Sequence, residues 1–502
     1  MKPPLVDPCG RAGLPPIAGR TFGRPVRGLR AAPLLALLVV APSLAVAQGG
    51  RIGLSFTAAS YSDSGFIPPD TMGAVGPDYI VELINGRYNV YDKSSGSLLD
   101  TKPLNGFWTA AGATPGGAFA FDPRVLYDPS AGRWYASSAD NRGGPTNSLL
   151  FAVSKSANPL DGWNGFKIDS DSHGALWADF PQLGYNRDGV YLSANMWSSF
   201  PAAVNMLVLP KADLLPSPPA PPSIANRTLI DPSLLGYYST SWQPAVDYDH
   251  NGLPITLFAG STMAIALGQI RGPIGSPTVV LRPEVPVTYY TDPPSAHQPG
   301  SKARIDTGQI SMQSSVIQRN GSFWGVQSVG TDIASGKAAV RWFKIDAATE
   351  TLRQEGLITD STLDLFYPSI AVNALGDVVI GCSGSSNQQY ASAYAVVGHT
   401  NTQGLTSFGD LMLLKAGVAG YQRLDRNGLN RWGDYSATVP DPADPYSFWT
   451  FQEFVSAEDQ WATQVTQIFV PEPGTLALAL AAVALIAAWA WRRRNADCGK
   501  RG

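Results

Sequence analysis

Residues 180–196 read FPQLGYNRDGVYLSANM, and this segment decides the fold. Leu183 and Tyr185 alternate with small or polar neighbours, Asn186-Arg187-Asp188-Gly189 supplies turn chemistry, and Val190, Leu192, Ala194 and Met196 resume the alternation. Apolar residues at period two on either side of an Asn/Asp/Gly turn predict a β-hairpin. The form recurs along the chain: DPRVLYDPSAGRWYASSA from Asp122, QPAVDYDHNGLPITLFAGS from Gln243 and YPSIAVNALGDVVIGCSGS from Tyr367 keep a proline at the second position. QSSVIQRNGSFWGVQSVG from Gln313, DYSATVPDPADPYSFWTFQEF from Asp434 and TMGAVGPDYIVELINGRYNVYD from Thr71 keep the pattern without it.

Most of these hairpins are followed by a second pair of strand-like runs, such as NSLLFAVSKS then GWNGFKID. A hairpin plus two outer strands is one propeller blade. The expected fold is therefore all-β, a β-propeller of about seven four-stranded blades. Six or eight blades, and two β-sandwiches in tandem, remain open at this point. RIGLSFTAAS, residues 51–60, is placed to add an outer strand to the last blade and close the ring, removing an exposed sheet edge. Two proline-rich stretches, 215–227 and 283–308, read as insertions, the second placed to cover one mouth of the ring.

The chain ends contrast with this polar, Gly-rich body. Arg27 and Arg30 precede an apolar stretch, 31–47, that closes on Ala45-Val46-Ala47, the small-x-small pattern of a signal peptidase site. At the other end the uncharged run 474–491 is followed by Arg492, Arg493 and Arg494. It is long enough to cross a bilayer as a helix, with the arginines held on the cytoplasmic side. Pro471, Glu472 and Pro473 stand just before it. The order Pro-Glu-Pro, apolar helix, arginine cluster resembles the PEP-CTERM sorting signal of Gram-negative bacteria. That resemblance implies cleavage by an exosortase near the Pro-Glu-Pro, transient anchoring in the inner membrane, and delivery to the cell envelope or extracellular matrix. The expected division is a signal peptide at 1–47, the propeller at 48–470, the sorting signal at 471–494 and a cytoplasmic tail at 495–502.

The chain has 36 basic and 39 acidic residues and a net charge of -3, which leaves no basic footprint for nucleic acid. Only Cys382 of the three cysteines lies within 48–470, so no disulfide forms inside the body. The four histidines, His173, His250, His297 and His399, are isolated and show no zinc-ligand spacing. No nucleophile elbow or phosphate loop occurs, and the boxes of propeller sialidases are missing. No residue set is read as catalytic.

Two sets of residues are candidates for binding. Asp70, Asp122, Asp179 and Asp434 stand at or just before inner strands, and Asp306 precedes another. Carboxylates converging on one axis suit a hard cation such as calcium, whereas separate turn caps need no ion. Trp108, Trp163, Trp197 and Trp242 fall in loop-like contexts and are candidates to stack on sugar rings; packing inside the blades is the alternative. Arg124, Arg304, Arg431 and Tyr435 are the set expected near the axis of an enzyme. The expected function is a non-enzymatic binding or structural role in exopolysaccharide, with exosortase and signal peptidase as processing partners. A sialidase-like or other glycosidase is the alternative.

Overall fold

Asn186 shows why the quoted segment turns where it does. Its Oδ1 accepts from the backbone N–H groups of Asp188 at 2.9 Å and Gly189 at 3.0 Å, so one side chain closes the turn. The flanking strands Trp177–Tyr185 and Gly189–Trp197 run antiparallel from Tyr185 opposite Val190 to Trp177 opposite Trp197. Asp128 and Asn373 close two other hairpins in the same way, accepting from the Ser130 and Leu375 N–H groups at 3.0 Å each. The structure is a computed structural model that describes residues 49–471, apart from 145, 172, 199–200, 218, 220–227, 231–240, 275, 302 and 332–335, together with residue 483.

The hairpins extend into six antiparallel-dominated sheets arranged as a propeller. Five are free-standing blades of four or five strands, with inner strands Gly73–Val75, Ala120–Asp128, Gln243–Pro244, Asp364–Val372 and Ala437–Pro440. The sixth has nine strands and holds two more four-stranded meanders, one opening at Trp177–Tyr185 and the other at Ile317–Arg319. The expected propeller of about seven four-stranded blades is thus observed with five free-standing blades, the two remaining repeats being fused in one sheet. The cause is a break at Ala245. The short strand Gln243–Pro244 stops there, and Val246–Asp247 pairs in parallel with Tyr185 on one side and with Ile317 and Gln318 on the other. Inner strands converge on the axis, so one displaced dipeptide bridges its two neighbours.

Arg51–Ser60 closes the ring as the outer strand of the last blade, antiparallel to Gln460–Phe469, with Arg51 opposite Phe469 and Ser60 opposite Ala462. Second strands carry the large core residues: Trp134, Trp324 and Trp449 are buried. Gly76 of the first blade lies so close to Trp134 of the second that a Cβ would stand 2.6 Å from the indole, which packs blade against blade without a gap.

All inner strands run from an upper face to a lower face. Inter-blade loops cross the upper face. The lower face carries the first turn of each hairpin, tied across sheets by Lys93 to Asp441 at 2.9 Å and by Asn373 Nδ2 donating to the Pro445 carbonyl at 2.7 Å. Among the described residues no helix is long and apolar enough to cross a membrane. The predicted leader with Ala45 and Ala47, and the predicted span with Glu472, Pro473, Arg492, Arg493 and Arg494, lie outside the described residues.

Candidate functional site

Four inner strands carry, within or just before their first half, a non-glycine residue in the left-handed region: φ is 51° at Asp70, 51° at Asp122, 50° at Phe180 and 48° at Tyr367. Pro123, Pro181 and Pro368 follow the last three, and the ladder slips at each, between Phe121 and Arg124, Asp179 and Gln182, and Phe366 and Ser369. Proline brings no N–H to the ladder, and the bulge re-aims the flanking side chains. Strained backbone of this kind collects at functional sites; here it recurs around one mouth of the ring.

A chain of hydrogen bonds links the first three sheets there. Asn85 Nδ2 donates to Asp70 Oδ2 at 2.7 Å, the Asp122 N–H donates to Asn85 Oδ1 at 2.9 Å, and the Phe180 N–H donates to Asp122 Oδ2 at 3.0 Å. From the other side Arg431 pairs with Asp434 at 2.5 Å and approaches Asp306 to 3.7 Å, while the Tyr367 hydroxyl donates to Asp306 at 3.1 Å. Arg124 lies beneath. Its guanidinium stacks 3.4 Å from the Tyr435 ring centroid and donates to the Pro181 and Gln313 carbonyls at 3.0 and 3.1 Å. Asp70 is 1% exposed, and its Oδ1 has no hydrogen-bond partner among the described residues.

Crowding of carboxyl groups shifts their protonation. Burial raises Asp70 well above the ordinary carboxylate range, and Asp434 and Asp122 raise it further. Asp179 is raised by burial and then by Asp122. Asp434 is pushed up to about 6, since burial outweighs the pull of Arg431. Like charges close together cannot all ionise cheaply. The mouth therefore gathers carboxyls held above their ordinary range, with the Arg431 guanidinium beside them and that of Arg124 beneath. A cavity of about 330 Å³ opens among Asp179, Trp197, Asp306, Gln313, Arg431 and Asp434.

The five aspartates singled out by their place in the repeat, Asp70, Asp122, Asp179, Asp306 and Asp434, thus share one region. Among the described residues no group of three or more His, Cys, Asp or Glu side chains is arranged to hold a metal ion, and Arg431 pairs with two of the carboxylates, those of Asp434 and Asp306. Of the tryptophans, Trp197 lines the cavity. Trp108, Trp163 and Trp242 are buried, with the Trp108 indole donating to Ser138 Oγ and that of Trp163 to the Tyr88 hydroxyl, both at 3.2 Å. They cannot stack on a surface ligand. Arg304 is exposed, apart from the contacts made by Arg124 and Arg431. Sequence reasoning missed Asn85, Tyr367 and Gln313. For Tyr367, a residue before a repeat-start proline, the matching positions Asp122 and Phe180 were the available signal.

A closed all-β ring with a charged axial mouth defines a β-propeller body. The particular feature comes from outside the ring: residues 469–494 match the PEP-CTERM protein-sorting motif, so the chain carries that exosortase-sorting signal behind a propeller body. No curated protein matches the chain. Among solved structures it is similar to the Dos1 propeller, at 8% identity and a TM-score of 0.37 over 84% of this chain and 95% of that one. An exo-1,5-alpha-L-arabinanase from a bovine ruminal metagenomic library is similar at 12% identity and a TM-score of 0.33, over 68% and 97%. The N10 neuraminidase-like protein of a little yellow-shouldered bat influenza A virus is similar at 11% and 0.29, over 59% and 95%.

Proposed function

We propose that this protein is delivered by the exosortase route to the cell envelope or matrix and binds extracellular polysaccharide at its axial mouth. The observation that carries this reading is the convergence of Asp179, Asp306, Asp434 and Arg431 around a cavity of about 330 Å³ with Trp197 on its wall. Carboxylates accept from sugar hydroxyls, a guanidinium donates to ring and glycosidic oxygens or to an acidic sugar, and a tryptophan offers a flat apolar face. These are the groups a hydroxyl-rich ligand requires, and they need no metal.

A second reading, glycoside cleavage, is favoured by one observation: two carboxyl groups, Asp179 and Asp434, line one cavity, and burial raises both, Asp434 to about 6. A carboxyl kept protonated in this way serves as the proton donor in glycosidases, with a second carboxyl group nearby. Glycan-array binding by the protein, with calcium and with chelator, and with bound sugars monitored for cleavage, tests both. Binding that Asp179→Asn and Arg431→Met each weaken at least about tenfold, roughly 1.4 kcal/mol, supports the site. Binding unaffected by either variant, or none to any glycan, overturns it. Cleavage abolished by Asp434→Asn moves the protein to the enzyme class, and loss on chelation brings calcium to the aspartates.

A further inference from the structure

We infer that, while the sorting segment is in the membrane, the ring rests on the lipid surface by its lower face and points its charged upper mouth away from the bilayer. This rests on reading 474–491 as the span. The strand Gln460–Phe469 runs from the upper face down. Phe469 stands opposite Arg51 and Ser447 at the lower rim, and the Val470 N–H donates to the Tyr446 carbonyl at 2.9 Å. Pro471 is therefore released on the lower face. Only Glu472 and Pro473 separate it from Gly474, where the apolar run begins. Three residue steps reach about 10 Å even when fully extended, and the headgroup layer itself takes up roughly 5 to 8 Å on each side of the hydrocarbon. No room is left for the ring to turn over or stand clear.

Exposed apolar residues stand on both faces, Val418 at 62% and Leu424 at 51% on the upper one. It is the exit of the chain that selects the lower face, which offers apolar side chains of its own to such a contact. Its turns and rim carry Ile52, Leu98, Leu160, Leu253, Leu375 and Leu405, 38 to 53% exposed, from five sheets around the ring. Scattered singly, such residues need no explanation. Here they share the face from which the anchor leaves. On the axis of that face a cavity of about 270 Å³ is lined by Tyr127, Tyr248, Pro440, Pro442 and Pro445 together with Arg319, Asn373 and Asp441. Aromatic and apolar tips of this kind suit the interfacial zone.

The mature chain with its sorting segment, carrying Cys498→Ser, would be reconstituted into phosphatidylethanolamine/phosphatidylglycerol vesicles. A single reporter cysteine would be placed at Leu253 or Leu375 below, or at Val418 or Leu424 above, and labelled with a fluorophore; Cys382 is 1% exposed and stays unlabelled in the folded ring. Lipids with a nitroxide on the headgroup should quench the Leu253→Cys and Leu375→Cys labels several-fold more than the Val418→Cys and Leu424→Cys labels. Equal quenching at both faces, or stronger quenching above, overturns the orientation. Failure of the chain to float with vesicles overturns the anchor itself, and with it the orientation, so the two failures are told apart.

Discussion

Asp70 sits in the left-handed region, buried, with one oxygen held by Asn85 and the other without a partner among the described residues. Its carboxyl is raised above the ordinary 3.8 by burial, then by Asp434 and Asp122. A group whose folded pKa lies above its unfolded value binds its proton more tightly in the ring than in the open chain. Its contribution is therefore favourable below the unfolded value and is lost as pH rises through the folded one. Asp70→Asn keeps the shape, accepts the left-handed backbone and removes the titration. The difference in Tm between this variant and wild type should grow in the variant's favour as pH rises from about 4 to about 7. A constant or shrinking difference would show that Asp70 is not a strained acid. Tyr367 gives a simpler case. Tyr367→Phe deletes the hydroxyl that donates to Asp306 and should cost about 1 kcal/mol in denaturant unfolding, leaving Asp306 to Arg431 and to the Gly308 N–H, which donates at 3.1 Å.

At the scale of strands and blades, the closure seam turns on one side chain. Glu82, buried on the strand Tyr79–Ile84, accepts from Asn89 Nδ2 at 2.8 Å, the Tyr91 hydroxyl at 2.9 Å, the Ala59 N–H at 3.4 Å and the Thr463 hydroxyl. It thereby fastens the first blade to both outer strands of the last. Glu82→Ala would strand these donors in the interior and should lower stability by about 3 kcal/mol. Glu82→Gln, which keeps an acceptor, should cost less than half as much, and equal losses would mean that packing rather than acceptance matters. The seam was legible from RIGLSFTAAS, because an amphipathic run before the first repeat has one edge left to cover. The hairpins were legible because Asn186, Asp128 and Asn373 encode their turns locally. The fused nine-stranded sheet was not, since Val246–Asp247 joins its neighbours only through their convergence on the axis. The site divides likewise. The aspartates were found by their place in the repeat, but the left-handed backbone beneath them, and Arg124 stacked on Tyr435 rather than paired with an acid, depend on contacts from sheets far apart in sequence.

A ring closed on itself should open as one unit rather than blade by blade, and Cys382 offers a means to measure this. The thiol is buried in the strand Asp377–Ser385, with its pKa pushed up to about 12 by burial, so a thiol reagent reaches it only through opening. The perturbation should come from elsewhere on the ring. Lys211 stands just after the third strand of the third repeat and pairs with Asp128 of the second, their side chains 6% and 0% exposed, its ammonium 4.9 Å from the Tyr185 ring centroid. Lys211→Ala leaves a buried carboxylate without its counter-charge, a loss of about 3 kcal/mol or more. If opening is concerted and closes faster than the reagent reacts, labelling of Cys382 follows the open population and rises by roughly a hundredfold for that loss. With Cys498→Ser as background, the labelling rate and the denaturation midpoint should therefore move together in Lys211→Ala, although no bond between the two sites has been cut. If the midpoint falls while the labelling rate stays at the wild-type value, the second and third repeats open on their own, and the seam holds the remaining blades together without them.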